Sequence, residues 1–182
     1  MRLLERGAIA LASLALSVLL IALLSGFFAG RDTGTVAGSS AIAGERFRDL
    51  GDSLLRRGQR PPRYDSAPPT SGAHLPEQVK QDEVQLNDNQ LLEALASGDV
   101  VVLYGGPTAP PGLTALAASL APPFTPALAS TGDAVILARR PGTSGLIGLA
   151  WAHMIKVGQA RDPRLREFAA FWLGRGAGSR GP

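Results

Sequence analysis

Residues 91–106, LLEALASGDVVVLYGG, contain the end of a helix, a stop signal and a buried strand in one short run. Asn87 or Asp88 is a suitable helix cap, and Gly98 supplies the left-handed residue that ends the helix. Residues 100–104 are an apolar run of strand length. Three leucines share the inward face of the helix: Leu91, Leu92 and Leu95. The run therefore predicts an α+β domain, in which helices cover a short sheet.

Two other segments predict short helices. In residues 45–58 apolar side chains recur at the spacing of one helix stripe, and Gly58 would end the helix. The stripe consists of Phe47, Leu50 and Leu54. The same spacing at Leu113, Leu116 and Leu120 predicts a helix after the prolines that follow Gly106.

The last third of the chain predicts strands and a closing helix. A strand is expected at Ala134–Ala138. Leu146–Val157 is ambiguous between strand and helix, but apolar residues and His153 fill every second position, which favours one strand. Asp162 as a cap and Pro163 at the first helical position predict a final helix that covers the sheet.

The segment Gly7–Gly30 carries no charged side chain. At about 1.5 Å per residue a helix of this length spans roughly 36 Å, enough to cross a hydrocarbon core of about 30 Å. Arg2 and Arg6 precede it and predict a cytoplasmic amino terminus, with the rest of the chain outside. A cleaved signal peptide is the alternative, with a small-x-small site at Ala41-Ile42-Ala43, but the run has transmembrane length. We expect a single-pass signal anchor in the cell membrane.

Composition divides the rest of the chain. We expect residues 1–30 to form a cytoplasmic stub and the anchor, 31–44 a flexible tether, 45–173 one soluble α+β domain, and 174–182 a disordered tail. The chain has no cysteine, so disulfides, thiolate nucleophiles and thiolate ligands are excluded. A net charge of +3 comes from scattered arginines without a dense basic block, so we expect no nucleic-acid partner.

Residues 61–76, PPRYDSAPPTSGAHLP, hold two proline pairs that prevent a helix and predict an ordered or extended loop. The string PPTSGAH at 68–74, the run at 91–106, and GLAWAHMIKV at 148–157 occur in an order that resembles the bacterial domain-of-unknown-function 3105 family (DUF3105). The resemblance covers about Arg60 to Leu173 and implies a domain anchored by one amino-terminal transmembrane helix, with no assigned activity.

In one stretch the sequence departs from the pattern of the family that it resembles. Family members typically carry Val-His-Ser-Leu-Glu-His-Gly before the valine-rich strand, and this chain, aligned on Gly98, reads LEALASG at 92–98. Residues at i, i+3 and i+4 share one helix face, where two histidines and a glutamate would suit a metal site or an acid-base pair. That face holds Glu93, Ala96 and Ser97 here. The chain is identified as a degenerate member that lacks the His-Ser-Leu-Glu-His motif.

His74 matches the loop histidine of the family and is the best remaining candidate for a metal ligand or proton carrier. The alternative is that its ring nitrogens bond loop backbone and hold the loop in place. His153 in the predicted strand is open to the same two interpretations. If Glu93 met His74 and His153, a two-histidine, one-carboxylate site would be restored.

Ser71 and Tyr64 complete the candidate loop. Ser71 lies near His74, but no strand-to-helix nucleophile elbow and no orienting carboxylate accompany it, so a catalytic role is disfavoured. Tyr64 is expected to anchor the loop by packing and hydrogen bonding. We predict no catalytic residues and no cofactor, with a metal ion as the open alternative.

The sequence thus favours a membrane-anchored extracytoplasmic binding or assembly protein without catalytic activity. One alternative is a metal site or metal-dependent enzyme that uses His74 with Glu93 or His153. Another is an accessory subunit of a membrane complex, because the small residues of the anchor permit close helix packing. The expected partners are the lipid bilayer, through Gly7–Gly30, and a membrane protein.

Overall fold

The computed structural model describes residues 42–178. In this part of the chain a five-stranded sheet runs in the order β1-β5-β4-β2-β3. Its strands are β1 (Glu45–Arg46), β2 (Val100–Tyr104), β3 (Val135–Arg139), β4 (Leu146–Ala150) and β5 (His153–Val157). The helices are α1 (Asp88–Ser97), α2 (Leu113–Ala118), α3 (Pro126–Ser130) and α4 (Pro163–Trp172). The predicted α+β domain with a helix-covered sheet is confirmed.

Strand β2 lies between β4 and β3 in the sheet, and all five of its residues are buried. It pairs in parallel with β3, so the chain returns through α2 and α3 to start β3 beside the start of β2. On its other side β2 pairs with β4 in antiparallel fashion, with Tyr104 opposite Leu146. A strand enclosed on both edges and both faces reads as continuous apolar sequence, which is why β2 is evident from its composition.

Alternate residues of β2 face two separate cores. Val100, Val102 and Tyr104 pack with α2 and α4, whereas Val101 and Leu103 pack with α1 and α3. The sheet therefore has two helix-covered faces, which we call the α4 face and the α1 face.

The two longest helices begin at the capping residues that the sequence predicts, and Gly98 ends the first of them as expected. Asn87 accepts hydrogen bonds from the N–H groups of Asn89 and Gln90 and forms a capping box, and Gly98 ends α1 in the left-handed region. Asp162 caps α4, and Pro163 is its first residue. Helix α3 was not expected from the sequence.

Two predictions about local structure are wrong. The segment 45–58 is not a helix: β1 occupies Glu45–Arg46, and the following residues run in irregular conformation. The expected single strand Leu146–Val157 is a hairpin of β4 and β5, because the chain turns at Trp151 and Ala152, where Ala152 has a φ of +57°.

Both ends of the chain include predicted segments outside the described residues. The expected anchor, most of the expected tether and residues 179–182 lie there. Within the described part, no helix combines the length and apolar character needed to cross a membrane. Residues 174–178 contact the end of α1, since Gly174 N–H donates to the Gly98 carbonyl and Ala177 N–H to the Ala96 carbonyl.

Candidate functional site

The loop 61–76 lies against residues 48–55 and the end of β4. Ala152 N–H donates to the Thr70 carbonyl at 2.9 Å. Further along, His74 exchanges backbone hydrogen bonds with the 53–55 segment, donating to the Ser53 carbonyl and accepting from Leu55 N–H. These bonds fix the backbone of His74 and direct its side chain into the domain, where the residue is 1% exposed.

The hydroxyl groups of the loop are used to hold it in place. Ser71 is fully buried, and its Oγ donates to the Arg48 carbonyl and accepts from Leu50 N–H. Tyr64 Oη donates to the Ala73 carbonyl at 3.0 Å. Burial, followed by the charge of Asp88, raises the pKa of Tyr64, so the phenol stays a donor at neutral pH. Neither hydroxyl is free to attack a substrate in this arrangement.

His74 and Glu93 meet beneath this loop. Nε2 of His74 lies 3.3 Å from Oε2 of Glu93, which α1 presents toward the loop. Both atoms are buried, and no other described residue offers either one a hydrogen bond. On the other side of the ring, Nδ1 lies 2.9 Å from the Gly72 carbonyl. Of the three residues considered for a two-histidine, one-carboxylate site, the structure thus brings His74 and Glu93 together.

The contacts define the chemistry of the pair. A carbonyl only accepts, so Nδ1 carries a hydrogen and Nε2 of the neutral ring has a lone pair facing the carboxylate. Two acceptors at this distance need a proton or a cation between them. A second ring proton gives a buried ion pair, whereas a metal ion would use Nε2 and Oε2 as ligands. In a tetrahedral zinc site with bonds of about 2.0–2.1 Å, two ligand atoms lie about 3.3 Å apart.

His153 lies elsewhere. Its ring stacks on Trp172 of α4 with centroids 3.9 Å apart, and Nδ1 lies 2.8 Å from the Trp151 carbonyl. Burial, opposed by the Trp151 bond and assisted by the charge of Arg46, lowers the pKa of His153, which favours the neutral ring. Since His153 belongs to the α4 face and Glu93 to α1, the structure does not bring them together. Within residues 42–178, no three potential ligands of the His, Cys, Asp or Glu type form a metal-binding group.

Sequence reasoning missed Asp99. This carboxyl is 1% exposed, its Oδ1 accepts from Ala134 N–H at 2.8 Å, and its Oδ2 meets no partner in the described structure. Burial raises its pKa to about 7, with the Ala134 hydrogen bond opposing and the charge of Asp133 adding to the increase. The sequence does contain a signal that could have identified Asp99, namely an acidic residue directly before a fully apolar strand.

Asp99 also lines a small cavity with Glu93 and Ser97 of α1. The cavity measures about 30 Å³. That is room for one water or ion, since about 10–15 Å³ suffices for a water with polar partners. This part of α1 therefore presents a carboxylate and a hydroxyl group to a polar cavity.

Comparison with known proteins identifies the chain by family alone. The family model described as "Protein of unknown function (DUF3105)" matches residues 58–179. No curated protein and no solved structure matches the chain.

Proposed function

Because the chain belongs to the DUF3105 family, whose description gives no activity, we propose from its own residues a membrane-anchored, extracytoplasmic binding or assembly protein without catalytic activity. The uncharged run Gly7–Gly30 supports the anchor, and Arg2 and Arg6 before it support export of the domain. The protein would then act on the outer side of the membrane, within reach of its tether.

One observation supports binding or assembly over catalysis. The hydroxyl groups of Ser71 and Tyr64 hold the most distinctive loop in place, Ser71 Oγ through two hydrogen bonds and Tyr64 Oη through one. A nucleophile needs a base within hydrogen-bond reach and a free path to its substrate. Ser71 is buried and hydrogen-bonded to the backbone instead, so its role in the loop is structural and favours a binding or assembly protein.

Topology can be tested cleanly because the natural chain contains no cysteine. Arg57 is exposed in the domain, and Glu5 precedes the apolar run. In intact cells, a membrane-impermeant maleimide should label Arg57→Cys, whereas Glu5→Cys should react only after lysis. The mass of the mature chain would show whether the anchor is retained. Labelling of Arg57→Cys only after lysis would place the domain in the cytoplasm and overturn the proposal.

The assembly role has its own test. Extraction in mild detergent, with an affinity tag at the carboxyl terminus, should recover the chain together with a membrane protein in constant ratio. Mutation of the domain surface should change this ratio without changing membrane insertion. A chain that migrates alone under several mild extraction conditions would argue against the accessory-subunit form of the proposal.

The His74–Glu93 pair supports a second candidate function, a metal site. The 3.3 Å separation fits two ligands of one ion, and the Gly72 carbonyl bonded to Nδ1 would orient the ring as outer partners of metal-bound histidines do. Two protein ligands leave the remaining positions to water or to a partner, so such a site would bind metal weakly unless a partner completed it.

Metal analysis separates the two candidates. The full chain is purified without chelators, and metal content is measured for the natural protein, His74→Ala and Glu93→Gln, with His153→Ala as the matched control. Stoichiometric metal that both site variants lose and the control keeps would establish the metal site. Equal metal content in all four proteins would rule out the metal site and leave the direct contact between His74 and Glu93.

A further inference from the structure

A groove of about 790 Å³ opens at one end of the sheet, far along the chain from the His74 loop. Here β2 and β5 end and β4 begins, and the paired residues Tyr104, Leu146 and Val157 form the last rung. Helices α2 and α4 contribute the walls. Its size falls in the range of small-molecule pockets, about 300–1,000 Å³.

Glycines keep the floor of the groove free of side chains. Gly105 follows β2 and Gly145 precedes β4, and a Cβ atom at either position would collide with a neighbouring carbonyl, of Thr143 or Val157 respectively. Gly158 follows β5, and a Cβ there would meet nothing within 4 Å. Glycine is thus required at 105 and 145 because the chain approaches itself closely there, whereas Gly158 leaves open space beside the groove.

Of the side chains in residues 42–178, Arg161 and Arg166 are the only ionisable ones that line the groove. Each guanidinium is held by a neutral partner: Nε of Arg161 donates to Gln159 Oε1, and Nη1 of Arg166 donates to Ser119 Oγ, both at 3.0 Å. Among the described residues neither forms a salt bridge, in contrast to Arg164, which pairs with Asp162. A guanidinium has five N–H donors, so each arginine keeps donors for a ligand.

We propose that this groove binds a phosphate monoester that carries an apolar group. A phosphate monoester bears a charge of about −1.5 to −2 near neutral pH, which two guanidinium groups without a salt bridge in residues 42–178 would balance with charge-assisted hydrogen bonds. The apolar group would lie against Pro110, Pro111 and Leu116. This inference rests on the proposed binding role and names its ligand class, but it does not depend on which side of the membrane the domain occupies.

Phenyl phosphate is the probe, titrated by calorimetry into the full chain in an uncharged detergent. We expect saturable binding that weakens as salt is added, and no saturable binding of neutral phenol. The double variant Arg161→Gln with Arg166→Gln should weaken the affinity at least about tenfold, the effect of losing strong charge-assisted hydrogen bonds. Arg57→Gln with Arg63→Gln removes the same charge from exposed positions outside the groove and should leave the affinity unchanged.

A second variant tests the shape of the site independently of its charge. Ala115 is exposed on α2 and lines the groove, so Ala115→Trp fills the space and keeps both arginines. This substitution should lower the affinity for phenyl phosphate more than the affinity for inorganic phosphate. Equal affinity of the natural protein for inorganic phosphate and phenyl phosphate would overturn the apolar part of the proposal.

The source of the ligand is resolved by a parallel titration with short-chain phosphatidic acid, a lipid phosphate monoester. If phosphatidic acid binds more tightly than phenyl phosphate and its binding depends on the two arginines, the ligand is a lipid headgroup. If phenyl phosphate binds more tightly, the ligand is a soluble ester. The proposal fails if phenyl phosphate does not bind saturably, or binds the Arg161→Gln, Arg166→Gln protein as it binds the natural one. Cysteine labelling at residue 57 is unaffected by either result, so failure of the ligand and failure of the anchored topology are distinguishable.

Discussion

Gly72 shows how one residue controls the candidate loop. Its φ of +128° is rarely adopted by L residues, and a Cβ atom would lie 2.9 Å from the ring of Tyr64. Gly72→Ala should therefore combine backbone strain with a clash, and we expect it to lower the free energy of unfolding by about 2–4 kcal/mol. Chemical denaturation of the full chain in detergent measures this loss.

Gly58→Ala is the matched control for Gly72. Gly58 also has a positive φ, of +91°, but a Cβ there would meet nothing within 4 Å. Only the backbone term remains, so its loss should be about 1–2 kcal/mol and clearly smaller than that of Gly72→Ala. Equal losses at the two positions would show that contact with Tyr64 does not constrain the loop.

Asp99 should make the stability of the domain depend on pH. Its pKa rises from 3.8 to about 7 on folding because burial disfavours the carboxylate. A raised folded pKa gives stability that is fully present below the unfolded pKa and lost as pH rises through the folded value. The free energy of unfolding should thus fall between pH 3.8 and about 7, by at most about 4 kcal/mol at about 1.4 kcal/mol per pKa unit.

Asp99→Asn isolates this contribution, because the amide keeps an oxygen for Ala134 N–H and carries no charge. Denaturant midpoints measured across this pH range should fall less in Asp99→Asn than in the natural chain. Asp52→Asn, at an exposed position, should leave the slope unchanged. Identical pH profiles for Asp99→Asn and the natural protein would contradict the assignment.

At the scale of elements, the cap of α1 offers a direct measurement. Asn87 accepts two backbone N–H bonds at the start of the helix, and its Nδ2 donates to Glu77 at 3.0 Å. Asn87→Ala should lower the free energy of unfolding by about 1 kcal/mol, in the usual range of about 0.5–2 kcal/mol for a lost cap. Asn87→Ser keeps a capping oxygen and should cost only a few tenths. Equal losses would show that the cap oxygen is not what matters.

Elements with a strong local signal were predictable, and those made by distant contacts were not. The strand β2 was evident because it is buried on both faces, and α4 because Asp162 and Pro163 mark its start. The hairpin of β4 and β5 was hidden, since apolar residues and His153 continue to fill every second position of the sequence through a turn that contains no glycine or proline. Ala152 adopts a positive φ there, and its N–H is bonded to Thr70 in the distant loop.

The segment 45–58 shows the opposite failure, in which a helical pattern is overridden. Phe47 N–H donates to the Ala152 carbonyl and Arg48 N–H to the Asp65 side chain, so tertiary partners take donors that a helix would use internally. Gly51, with a φ of +77°, accommodates a local turn in which its N–H bonds to Asp49 Oδ1. Periodicity alone gave no sign of these partners, although a central glycine weakens a helix by about 1 kcal/mol.

For the molecule as a whole, the sheet decides which candidate residues can act together. The family resemblance and the residue types identified His74, Glu93 and His153 as residues of suitable chemistry, but the sequence carried no information about the face of the sheet on which each lies. Loop docking brings His74 to Glu93, whereas strand alternation sends His153 to the α4 face, against Trp172. The candidate site was thus predictable as a list of residues, and only the tertiary fold could separate the pair from the third member.

This separation predicts how mutations combine. In double-mutant cycles on the free energy of unfolding, Glu93→Gln and His74→Ala remove two members of one contact and should show a coupling energy of about 1 kcal/mol or more. Glu93→Gln and His153→Ala share no partner, because a sheet lies between them, and should add within about 0.5 kcal/mol. Chemical denaturation of the single and double variants measures both cycles. Strong coupling between Glu93 and His153 would mean that the two helix-covered faces communicate through the sheet, and a two-histidine site would then have to be reconsidered.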